Sequence, residues 1–119
     1  MTDRDELLRE LRERFQGQRF PPAADRSQEV RLVHADLAGY DGQVAGIVAR
    51  ALRGVTAEPA WLRPNLELGA RIEALLANAA DSERAVLEQY LGYARHLDAL
   101  LALAARAIES AAPRNPGSR

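Results

Sequence analysis

In two long stretches of this chain, apolar side chains return to the same side of a coil about twice in every seven positions. In the first stretch they are Val30, Val33, Leu37, Tyr40, Val44, Ile47 and Ala51. In the second they are Leu87, Tyr90, Ala94, Leu97, Leu101, Ala104 and Ile108. A strand repeats every second residue, so steps of three and four admit only helices. A helix with one apolar stripe must bury it against another element. The chain is therefore expected to be all-α, with helix packed on helix.

Composition agrees. Ala and Leu abound while aromatic residues make up only 5%. Ala, Leu, Arg and Glu are good helix formers, whereas the residues that favour strands are few. With 119 residues and 47% hydrophobic content, one domain with a real core is expected. We place it over 1–112, with a disordered C-terminal tail over 113–119.

Four helical segments follow. The first runs from about Asp3 to Gln16, with Leu7, Leu8, Leu11 and Phe15 as its stripe. Gly17 and the Pro21-Pro22 pair end it, because proline lacks a donor and restricts the residue before it. The second starts near Asp25 or Ser27 and ends at Gly54. Asp25 and Gln28 have capping-box spacing. The Asp41-Gly42 pair alone would suggest a turn, but the constant phase of the seam carries the helix through it.

A connection over Val55–Pro64 contains the single tryptophan, Trp61. Its large apolar area predicts a plug at the end of the core. The third helix starts after Asn65 as cap, with Leu68, Ile72, Leu75, Leu76 and Ala79 on its apolar face. A corner at Asn78–Ser82 separates it from a fourth, about Ser82 to Ala111; one bent helix is the alternative. Val86, Leu91, Tyr93 and Leu100 widen the apolar arc of the fourth helix. These lengths predict an unequal four-helix bundle, two long antiparallel helices plus two shorter ones. The width of that arc predicts a symmetric dimer.

The second helix carries one further pattern. Ala35, Gly39, Gly42, Gly46 and Ala49 also step by four and three. At about 100° per residue they lie opposite the apolar seam. Each mid-helix Gly costs roughly 1 kcal/mol against Ala, so the stripe needs a close neighbour. The simpler expectation is another helix of the same chain; the other is a partner helix or a flat ligand. Together with Tyr93 and Leu100, these five residues form the predicted interface.

Other chemistry is thinly represented. Net charge is −1, and all 16 basic residues are Arg. The even balance argues against nucleic acid. The arginine usage reads as the codon bias of a GC-rich, bacterial genome. Cysteine is absent, which excludes disulfides and thiolate chemistry. The charged N-terminal residues lack a signal core and no apolar run spans a membrane, so a cytoplasmic location is expected.

Ser27 and Ser82 read as helix caps, Ser110 and Ser118 lie at the fraying C-terminal end, and none is in a nucleophile elbow. The two histidines occur as His34-Ala35-Asp36 and His96-Leu97-Asp98. Residues two apart point about 200° apart on a helix, so neither pair shares a ligand. His96 falls on an Ala-rich face with Gln89 and Ala99, away from the core arc. The alternative function is a small-molecule or metal-binding bundle, a hydrolase among the options, with a site joining His34 to His96 across two helices. No catalytic residue and no cofactor is assigned. The expected function is non-enzymatic, through contact between proteins, as a homodimer or with a helical partner.

Overall fold

A computed structural model describes residues 2–22 and 27–111. Four α-helices and no strand occur among them: α1 Thr2–Gly17, α2 Gln28–Leu52, α3 Leu66–Ala77 and α4 Asp81–Ala111. A single 3-10 turn, Pro59–Leu62, interrupts the connection between α2 and α3.

The helix ends follow from local chemistry. The Ser27 hydroxyl accepts from the Val30 N–H at 3.4 Å and caps α2. Asn65 Oδ1 accepts from the Leu68 N–H at 3.2 Å and caps α3. Both satisfy a donor that the first turn of a helix leaves unpaired. At the other end of α2, Gly54 turns left-handed with φ of 74°. The Gly54 N–H then reaches Ala51 O and the Val55 N–H reaches Arg50 O, which closes the last turn in a Schellman motif. The chain breaks at Asn78–Ala80, so α3 and α4 are separate helices. The Asp25–Gln28 capping box and the 113–119 tail involve residues outside those described.

Both seams are buried along their whole length. Val33, Leu37, Val44, Tyr90, Leu97 and Leu101 are at most 1% exposed. Leu11 of α1 and Leu68 and Ile72 of α3 join them in one core. Burial of each such side chain contributes about 1.5–3 kcal/mol.

One expectation about direction fails. Cross-helix contacts between α2 and α4 rise together along both: Ser27 with Glu83, His34 with Tyr90, and Tyr40 with Asp98. The two long helices are therefore parallel. The reason is alternation along the chain. α1 runs against α2, since Arg4 lies beside Gly54 and Gln18 beside Asp41. α3 also runs against α2, since Asn65 meets Tyr40 and Arg71 meets Asp36. Two helices separated by one returning element must point the same way.

The shorter helices are completed by extended chain. Below α1, residues 18–22 continue along the lower half of α2, where Pro21 meets His34. Above α3, the connection after Gly54 descends beside the upper half of α2, where Trp61 meets Arg50. Each is a half-helical rod against two full-length helices. Both rods change from helix to extended chain at one level, beside Tyr40 and Asp41.

Candidate functional site

At that level the helices exchange polar contacts. The Tyr40 hydroxyl of α2 donates to Asp98 Oδ1 of α4 at 2.5 Å. In the reverse sense, the Tyr93 hydroxyl of α4 donates to Asp41 Oδ1 of α2 at 2.5 Å. Tyr40 also accepts the Asn65 N–H at 3.1 Å, a backbone donor just outside α3. Burial and then the carboxylate acceptor hold both phenols well above the usual tyrosine range. For Tyr40, the Asn65 N–H works in the other direction.

The Tyr93 side of this junction opens to a groove. Asp41 Oδ1 accepts a second hydrogen bond, from Gln18 Nε2 at 3.3 Å. Gln18 Oε1 in turn accepts from His96 Nε2 at 2.9 Å. That relay assigns the Nε2–H tautomer to a neutral His96. Burial, then the positive charge of Arg14, lowers the His96 pKa, with Asp41 pulling the other way. The groove has a volume of about 450 Å³. Arg14 and Gly17 wall it from α1; Gln18, Arg19 and Pro21 of the extended segment close the lower edge. Gln89, Gly92, Tyr93 and His96 wall it from α4.

The second feature is the small-residue face of α2. Ala35, Gly39, Gly42 and Gly46 are exposed and Ala49 is half-buried. A Cβ added at Gly39, Gly42 or Gly46 would meet nothing within 4 Å. Among the described residues, the expected internal helix contact is therefore absent from this face. Trp61 borders it instead. Gly42, Gly46, Ile47, Arg50 and Trp61 line a shallow groove, also about 450 Å³. The Arg50 guanidinium sits 5.3 Å from the indole centroid, in cation–π geometry. Trp61 is 45% exposed, so it is not the plug expected of it.

The remaining predicted residues fall elsewhere. Tyr93 and Leu100, expected at an interface, are 8% and 0% exposed and belong to the core of the single chain. The wide arc of α4 is covered by α1, α2 and α3, which removes that reason for a dimer. His34 and His96 do not converge. His34 Nε2 donates to Pro21 O at 3.0 Å. The rings of Phe20 and Tyr93 stand between the two imidazoles as successive edge and tilted contacts. No three His, Asp or Glu side chains are grouped as metal ligands among the described residues.

His96 is half-buried in the groove rather than turned to open solvent. Sequence reasoning missed Gln18, Arg14 and Arg19 as groove residues, and Asp41 as the carboxylate bonded to Gln18 and Tyr93. Each contact links positions far apart in the chain, so no local signal marked them. No helix among the described residues is long and apolar enough to cross a membrane. No protein-family model, no curated protein and no solved structure matches the chain.

Proposed function

We propose that this protein is a non-enzymatic helical bundle that acts through contact between proteins, and that its α2 face pairs with the α2 face of a second copy. The observation that carries this reading is the open stripe at Gly39, Gly42 and Gly46. Three glycines inside one helix cost about 3 kcal/mol against alanine, and none of the described residues approaches an added Cβ there within 4 Å. Close approach of a second helix backbone gives them a use.

Charge favours a second copy in antiparallel register. Asp36, Gln43 and Arg50 are spaced by seven along one edge of the stripe. A twofold axis at Gln43 sets each Asp36, half exposed beside its own Arg71 at 2.7 Å, opposite the other copy's Arg50, which also donates to its own Thr56 O at 2.9 Å, an isologous arrangement in which the new pair adds to these contacts. Between them, Asp41 is the only charged residue of α2, and it is engaged inward with Tyr93 and Gln18. The exposed indole of Trp61 adds aromatic area at the rim, as interfaces favour.

Sedimentation velocity tests the reading. The wild type is expected to dimerise and Gly42→Leu to be monomeric with unchanged helicity. Asp36→Arg and Arg50→Asp should each weaken the dimer, and the double exchange should restore it. A wild type that stays monomeric at high concentration, or a Gly42→Leu variant that dimerises as the wild type does, overturns it.

A further inference from the structure

The groove between α1 and α4 is independent of the α2 face, and its chemistry is different. Two guanidinium groups reach it from one side. Arg14 is about half exposed and bonded to Glu10 at 2.7 Å. Arg19 is exposed on the extended segment. The Asp41 carboxylate is held by the Tyr93 hydroxyl and the Gln18 amide. Arginine forks suit carboxylate oxygens in pairs.

Gly17 and Gly92 stand on facing walls, and a Cβ at either would meet nothing within 4 Å. Tyr93 presents a ring there, tilted against His96. The slot thus has a cationic edge, an aromatic floor and one glycine in each wall. Its volume of about 450 Å³ falls in the range of small-molecule sites.

We propose that this groove binds a small planar monocarboxylate, with its ring between Gly17 and Gly92 and its carboxylate at Arg19 and Arg14. A single negative charge fits better than two. The groove lies at the C-terminal turn of α1, where unpaired carbonyls carry partial negative charge. That field offsets part of the guanidinium charge and disfavours a phosphate dianion. The Gln89 amide, also on the α4 wall, supplies a further donor. This inference does not rest on dimerisation.

Isothermal titration of the full chain tests it with benzoate, with benzamide as the uncharged isostere and with inorganic phosphate. Benzoate is expected to bind saturably, with benzamide and phosphate each weaker by about tenfold or more. Arg19→Gln should weaken benzoate by about tenfold. Gly92→Leu should abolish binding by filling the slot, with helicity unchanged. Arg19 is exposed and holds no helix, so that variant remains informative should Gly92→Leu fail to fold. No saturable benzoate binding, benzamide or phosphate binding as tightly as benzoate, or benzoate affinity unchanged in Arg19→Gln overturns the proposal.

Discussion

Replacing Gly39, Gly42 and Gly46 together by alanine should make the monomer more stable, not less. Each position has ordinary helical backbone, since Gly54 is the only glycine with positive φ among the described residues. Each is open, with nothing within 4 Å of an added Cβ. The methyl groups therefore meet no clash, and the unfolded chain loses conformational freedom. The intrinsic gain is about 0.8–1 kcal/mol per site. The three sites lie on adjacent turns, and neighbouring substitutions need not add fully. We expect a net gain of about 2–3 kcal/mol. For a domain of this size that corresponds to roughly 8–12 °C in Tm.

The assay is urea and thermal unfolding followed by circular dichroism, at a concentration where sedimentation shows only monomer. Gly54→Ala is the matched control. Its φ of 74° strains any residue with a Cβ, so the same substitution should cost about 1–2 kcal/mol there. A triple variant that is neutral or less stable as a monomer would refute the reasoning, because some part of the chain would then have to pack on the face. At high concentration the added methyls should also hold two α2 helices apart, so the stabilised monomer should be the poorer dimer.

Three further outcomes follow from the same geometry. Tyr40→Phe leaves both Asp98 and the Asn65 N–H without the hydroxyl and should cost about 2 kcal/mol in urea unfolding; Tyr93→Phe should cost less, about 1 kcal/mol, because Asp41 keeps Gln18. The folded His96 pKa lies below its ordinary value, so the unfolded chain binds the proton first as pH falls. Stability should drop as pH falls through the ordinary histidine value of about 6.5, and His96→Gln should flatten that part of the profile; an identical slope in both proteins refutes the assignment. Trp61→Ala should cost under about 1 kcal/mol, against about 2–5 kcal/mol for Leu11→Ala at a fully buried site, by the same unfolding measurement.

The helices were legible because their signals are local. Seven seam positions in α2 and seven in α4 repeat within a few residues, and all are buried. Ser27 and Asn65 are caps that act on a donor three residues away. Direction was not legible. A heptad seam reads the same whichever way its partner runs, so the parallel pairing of α2 with α4 emerged only from contacts such as Ser27 with Glu83. Glycine spacing showed a face on α2 but not what lies across it, since an internal neighbour and an open surface both tolerate small residues. Trp61 misled for a related reason: its area favours burial, but here the ring finds the Arg50 guanidinium instead of the core.

The location of the polar junction follows from how the bundle is assembled. Two full-length helices need cover along their whole length, and α1 and α3 are each too short to give it. Extended chain supplies the rest, and it cannot satisfy its own backbone as a helix does. Polar side chains are needed where helix gives way to strand-like chain. On the α3 side the Tyr40 hydroxyl meets the Asn65 N–H, and the junction is closed. On the α1 side Gln18 answers to Asp41 and His96, and side chains are missing at Gly17 and Gly92, so the junction stays open as a groove. The two tyrosine–aspartate pairs are thus near mirror images with different surroundings. If the open side exists for a ligand, loss of Tyr93's hydroxyl should disturb benzoate binding through Gln18 and His96, while loss of Tyr40's hydroxyl should lower stability and leave the affinity of the folded protein as it was. Equal effects of Tyr40→Phe and Tyr93→Phe on binding would mean that both pairs only hold the rods in place.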